Sequence, residues 1–291
     1  MTFLIFAVLC SVAVSIFLKI ARKNNIHIAQ AIAVNYIVAT LMTWFVLQPN
    51  IKSVTEYAAT APIFIALGVL LPVVFVIMSR AVERAGIVKS DAAQRLSLFI
   101  PIVWALAFFG EVLTPARGLG VVLAFVALLC LLYKPSIQKF SSNTKGVAAS
   151  LMGVWLGYGV IDILFKQLAK LDKTAFSGNL LVAFILAGVL MWAYLLVKRT
   201  DWRLKSMLAG IALGVLNFGN ILFYVRAHQV FKDNPTLVFA GMNMGVIALG
   251  TLVGAWAFRE KISRVNALGV ALAMASIFCL FYLAKLVPQW A

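Results

Sequence analysis

Three observations predict an all-α polytopic membrane protein, with ten transmembrane helices arranged as two inverted-topology five-helix repeats. First, 64% of the 291 residues are hydrophobic and 12% are charged, and the mean hydropathy is +1.02. Polar side chains are too few to cover a water-facing surface. Second, apolar runs of roughly twenty residues recur along the whole chain, each long enough as a helix to cross a hydrocarbon core. Third, the segment Phe109 to Tyr133 is written again as Phe258 to Tyr282, without a gap, at an offset of 149 residues and with ten identities. A duplication in a very apolar chain points to two related halves. Each half, 1–139 and 140–291, holds five crossings within one membrane domain. Five is odd, so the halves must enter the membrane from opposite sides.

The spans follow in order near 2–19, 28–47, 61–79, 92–110, 115–133, 146–165, 176–197, 206–225, 236–257 and 263–283. Turn and charge signals join them: Arg22-Lys23-Asn24-Asn25, Gln48-Pro49-Asn50, Lys134-Pro135-Ser136 and Lys198-Arg199-Thr200-Asp201. The first span lacks the basic start of a secretory signal and reads as an uncleaved helix. Its Ser11, Ser15 and Lys19 lie four residues apart on one face, and at an offset of 147 they fall on Tyr158, Asp162 and Lys166 of the sixth span. The second span carries Asn35 at its middle, and the third carries Pro72. Gln94, Ser97, Pro101 and Trp104 give the fourth span a polar and aromatic face, with Asp91 placed to pair with Arg95. Pro101 frees a carbonyl about one turn earlier, which a membrane tolerates only if the group faces a cavity or is bonded by a neighbour. Trp155, Tyr158, Asp162 and Lys166 share one face of the sixth span. The eighth contributes Asn217, Asn220 and Tyr224, and the ninth Thr236, Asn243 and Gly250. Glycine pairs at 153/157, 210/214, 241/245 and 250/254 suit close helix approach.

A net charge of +16 raises the question of nucleic acid, but the basic residues are spread over the helix ends rather than gathered in a patch. We therefore expect no nucleic acid partner. Membrane lipids and orientation account for the charge. Alternate loops, those after the first, third, fifth, seventh and ninth spans, together with the adjoining span ends that carry Lys19, Arg95 and Arg264, hold 17 of the 25 Lys and Arg, which places both termini outside the cytosol. Cys10, Cys130 and Cys279 fall inside apolar runs without CxxC spacing, and His27 and His228 are the two histidines. Neither a disulfide framework nor a metal site is supported, and no cofactor is implied.

The combination of ten helices in two five-helix units, Pro101 in the fourth span, FFGE at 108–111, AFRE at 257–260, and Gly120 and Gly269 entering the fifth and tenth spans resembles the drug/metabolite transporter (DMT) superfamily, EamA type. The resemblance covers the whole chain. It implies a carrier of small metabolites, often amino acids or related compounds moved outward, with a central cavity and peripheral fifth and tenth helices. It also implies cytosolic termini, against the charge count, and the loop after the second span, with Lys52 alone, departs from the family habit.

Ionisable and amide side chains inside membrane spans are costly enough to mark functional sites. Candidates for a substrate cavity are Asn35, Gln94, Arg95, Trp104, Trp155, Tyr158, Asn217, Asn220, Tyr224 and Asn243. Each has a structural reading beside the functional one: Arg95 as an interfacial anchor, an amide as interhelical glue worth about 1 kcal/mol. Lys19, Asp162 and Lys166 are coupling candidates. Asp162 before Lys166 has the order of a helical ion pair, or Asp162 serves as a protonatable coupling group. Glu111 and Glu260 read as turn residues that pair with neighbouring bases or cap the following helix.

The expected activity is secondary transport of a small polar metabolite, by export across the cytoplasmic (inner) membrane through alternating access. The expected partners are the small-molecule substrate, membrane lipids and protons as a candidate coupling ion, for a monomer or homodimer. No HExxH, P-loop or Ser/His arrangement supports an enzyme. An intramembrane enzyme, a lipid-linked-substrate flippase and a channel on the same fold are the alternatives.

Overall fold

The computed structural model describes residues 1–49, 54–85, 87–132, 144–171, 173–258, 263–283 and 286–287. Among these there is no strand. The helices are α1 (Thr2–Lys23), α2 (Ile28–Met42), α3 (Val54–Ala85), α4 (Ile87–Leu96), α5 (Phe99–Phe108), α6 (Pro115–Leu132), α7 (Thr144–Lys170), α8 (Lys173–Val197), α9 (Leu204–Val230), α10 (Pro235–Phe258) and α11 (Arg264–Phe278). Wider π-helical turns, Thr43–Leu47 and Cys279–Leu283, prolong α2 and α11. Among the described residues nine helical segments are long and apolar enough to cross a membrane, α4 and α5 together forming one of them, and Pro115–Leu131 is a shorter apolar helix. The chain is a multi-pass membrane protein. Tyr133, the Lys134-Pro135-Ser136 turn, Lys52, Arg259, Glu260 and Lys261 lie outside the described residues.

The fourth span, expected as one helix over 92–110, is broken into α4 and α5 at Ser97 and Leu98. Pro101 has no N–H to give the Ser97 carbonyl, and the break places it in the first turn of α5, where a helix needs none. Ile100 N–H bonds that carbonyl instead at 3.0 Å. Ser97 Oγ donates to Gln94 O at 2.6 Å, and Trp155 Nε1 donates to Leu96 O at 3.0 Å. Pro62 and Pro72 do not interrupt α3.

The chain forms two compact units, Met1–Phe75 with Leu164–Val230, and Val76–Ile163 with Phe231–Ala291. This division differs from the sequence halves. Each unit draws on both halves, and α3 and α7 give residues to both.

In the first unit α9 packs on α1 and α2, and α2 also packs on α8. A Cβ at Gly210 would lie 2.5 Å from Ala31 O, and one at Gly214 would lie 2.5 Å from Val38 Cβ. The 210/214 glycine pair is therefore what lets the α2 and α9 backbones approach. Gly219 faces Cys10 Sγ, and Phe223 stacks on Phe3 and meets Phe6 of α1 at a tilt. Gln30, buried at the start of α2, donates to Asp201 O at 2.5 Å and accepts from Arg203 N at 3.2 Å, which ties α2 to the loop before α9.

In the second unit α6 packs on α11. A Cβ at Gly120 would lie 2.7 Å from Leu280 Cγ, and one at Gly269 would lie 2.7 Å from Leu131 Cγ. The start of each helix meets the end of the other, so the pair is antiparallel. The contacts are also reciprocal, because Gly120 and Leu131 stand 149 residues before Gly269 and Leu280. Ser276 Oγ donates to Gly120 O at 2.7 Å and Asn266 Nδ2 to Leu131 O at 3.0 Å. The caps correspond as well: Thr114 Oγ1 accepts from Arg117 N at 3.5 Å, and Ser263 Oγ accepts from Asn266 N at 3.1 Å, again at the same offset.

Glu111 does not cap α6, the helix that follows it. Gly110, at φ 68°, turns the chain after α5, and the buried Glu111 Oε2 accepts from Thr236 N at 3.0 Å and Thr236 Oγ1 at 2.6 Å. It thus caps the N-terminus of α10, where the backbone donors and the helix dipole favour a carboxylate. Arg117 bonds Asn234 in the same turn.

Candidate functional site

The polar candidates fall into two groups, one in each compact unit. In the first unit, α2 and α9 come close enough at Gly214 for Asn217 Nδ2 to donate to Asn35 Oδ1 at 3.1 Å. Asn35 is buried, and this bond satisfies one of its polar groups. One turn beyond Asn217, the buried Asn220 Oδ1 has no hydrogen-bond partner among the described residues. Further along the same face, Tyr224 meets the His228 ring edge-on at 4.8 Å and Phe165 at 6.2 Å. Tyr224 and His228 are both buried.

Lys166 lies within electrostatic reach of His228 and is 1% exposed. His228 lies in the last turn of α9, and Lys166 stands one turn before Lys170, the basic residue in the last turn of α7. The first unit thus presents a buried basic pair, a phenol and a line of amides. Lys19, the sequence counterpart of Lys166, is exposed toward the end of α1, and Ser15 Oγ donates to Ser11 O of its own helix. The two lysines match in sequence and differ in burial.

In the second unit the break between α4 and α5 organises the site. Arg95 Nε lies 3.6 Å from Asp91 Oδ1, with the Arg95 side chain mostly buried and Asp91 the more exposed partner. Tyr158 is within electrostatic reach of Arg95, Asp91 and Asp162. Trp155 bonds the open carbonyl of Leu96, and Gln94 gives its own carbonyl to Ser97. Trp104 stacks on Phe108 at 4.2 Å, and its buried Nε1 has no hydrogen-bond partner among the described residues. Asn243 Nδ2 bonds Phe239 O of its own helix at 3.0 Å. Asp162 stands one turn before Lys166 on α7.

Sequence reasoning missed His228, although the signal was present: 217, 220, 224 and 228 continue one helical face by steps of three and four. It also missed Asn179, fully buried on α8, whose Nδ2 donates to Thr60 Oγ1 and to Ala175 O, both at 2.8 Å.

No family model matches the chain. An uncharacterized protein of Haemophilus influenzae is 57% identical over 289 residues, which cover 98% of this chain and 99% of that protein. A solved structure, described as the crystal structure of a protein, superposes with a TM-score of 0.72 over 98% of this chain and 97% of its own length, at 14% identity. That likeness is one of fold alone.

Proposed function

We propose that this chain, which belongs to the same family as the uncharacterized Haemophilus influenzae protein, is a secondary transporter of a small polar metabolite such as an amino acid or a related compound. In this reading it exports its cargo across the cytoplasmic membrane by alternating access of two inverted five-helix repeats. The observation that carries the reading is the burial of Lys166 and His228, with Tyr224 between aromatic neighbours, in helices that cross the membrane. A fully buried basic pair is costly in a purely structural bundle, and it suits recognition of a carboxylate. The Asn35, Asn217 and Asn220 amides on the neighbouring turns suit a polar remainder. The antiparallel α6–α11 pair supports the inverted repeat, since two helices related by an in-plane two-fold axis must run antiparallel with reciprocal contacts. The Pro101 break supports a moving element, because broken helices in transporters line cavities.

The resemblance to the EamA-type carriers agrees with this reading. The purified protein in liposomes, given amino acids and small organic acids under imposed proton and substrate gradients, tests it. Saturable flux of at least one carboxylate-bearing metabolite is expected. Absence of flux for every compound under every gradient would overturn the proposal.

A further inference from the structure

The first unit carries a surface whose chemistry is separate from the buried polar groups. The turn between α1 and α2 and the loop between α8 and α9 are far apart in sequence but are locked together. His27 N–H donates to Ser206 Oγ at 2.9 Å, Gln30 bonds both Asp201 O and Arg203 N, and Lys205 Nζ donates to Asn24 O at 3.4 Å. The consequence is that Lys23, Lys198, Arg199, Arg203 and Lys205 are exposed on one end of this unit. Asp201 is the one exposed carboxylate among the described residues of that loop.

Apolar side chains border these charges. Val197 is 84% exposed and Leu204 is 72% exposed, on either side of the charged loop. Trp202 stacks on Trp192 at 5.3 Å while remaining 47% exposed, as suits a ring at the headgroup level of a bilayer. Cationic groups meeting an exposed apolar rim match a molecule with a phosphate at one end and hydrocarbon at the other. A free phosphate would leave the rim unused, and a neutral lipid would leave the five cations unused.

We infer that this end of the first unit, built by the α1–α2 turn and the α8–α9 loop, binds an anionic phospholipid by its headgroup. The phosphate sits among Lys198, Arg199 and Arg203, and the acyl chains lie along Val197 and Leu204. Gln30 acts as the positioning residue that holds the two segments together. This inference is independent of the cargo and of transport itself.

Native mass spectrometry of the detergent-purified full chain tests it, with phosphatidylglycerol, phosphatidylethanolamine and inorganic phosphate as separate additions. Phosphatidylglycerol adducts should survive at least about fivefold better than phosphatidylethanolamine adducts, because each cation near a membrane surface favours anionic lipid. The Lys198→Gln/Arg199→Gln/Arg203→Gln variant should lose that preference while keeping its folded yield. Equal retention of the two lipids by the wild type would overturn the inference. So would an unchanged preference in the variant, or full competition by inorganic phosphate alone. Should the triple variant fail to fold, Arg199→Gln and Arg203→Gln made singly should each weaken the preference about twofold. An unchanged preference in both would equally overturn it.

Discussion

Lys166 and Lys19 occupy matching positions in the two sequence halves, yet Lys166 is 1% exposed and Lys19 is open at the end of its helix. Burial of an ammonium within a membrane bundle needs a compensating role, whereas a lysine at a helix end reaches the headgroups at little cost. Lys166→Met should therefore lower transport at least about tenfold, the scale of losing one charge-assisted contact, while Lys19→Met stays within about twofold. The folded yield of both should match the wild type, as read by size-exclusion chromatography beside the flux assay. Equal effects of the two substitutions would remove Lys166 from the site. Arg95→Ala and Asn220→Ala are also expected to lower flux without loss of folded protein. For Asn220 the basis is its buried acceptor, which the described residues leave unsatisfied.

Helices were readable because their signals are local. Apolar runs and flanking turn residues locate the helices, although α3 (Val54–Ala85) outruns its expected 61–79 by seven residues at its start and six at its end, and the glycine pair at 210/214 marks the α2–α9 contact. The break in the fourth span was only half legible. Pro101 announced a freed carbonyl, but whether the helix bends or stops depends on who satisfies that group. Ile100 N–H takes that carbonyl, and Trp155 takes the Leu96 carbonyl beside it from a helix 59 residues away, which no single-helix pattern reveals. Glu111 shows the same limit, for its partner Thr236 stands 125 residues away.

These contacts yield three expectations about stability. Gly214→Val would drive new carbon atoms into Val38 and the Asn35 carbonyl, and overpacking of this kind costs about 1–3 kcal/mol. Among the described residues Gly250 has nothing within 4 Å of an added Cβ, so Gly250→Ala should leave the melting temperature nearly unchanged. Glu111→Ala should destabilise the fold by roughly 1–3 kcal/mol through loss of the α10 cap, read as a lower melting temperature. A melt of each purified variant in detergent measures these directly, and a Gly214→Val protein as stable as wild type would contradict the close α2–α9 approach.

At the scale of the whole molecule, the duplication that stands out in the sequence corresponds to the α6–α11 pair, whose glycines, leucines and caps answer one another at a constant offset of 149 residues. The candidate site residues do not repeat in this way. Lys166 with His228 and Arg95 with Tyr158 are unlike groups, so the repeat identified architecture more readily than chemistry. Orientation is open to a direct check. The 17 of 25 basic residues on one side favour termini outside the cytosol, so a C-terminal alkaline phosphatase fusion should be active and a fluorescent-protein fusion dark. The reverse pattern would give the orientation that the family resemblance implies. The central claim, that this is a carrier and not a channel or an enzyme, is tested most directly by exchange in proteoliposomes. Radiolabelled substrate release should be accelerated by unlabelled substrate on the opposite side, should saturate, and should be lost in Lys166→Met. Flux that rises linearly with concentration and shows no such stimulation, or no flux at all, would contradict it.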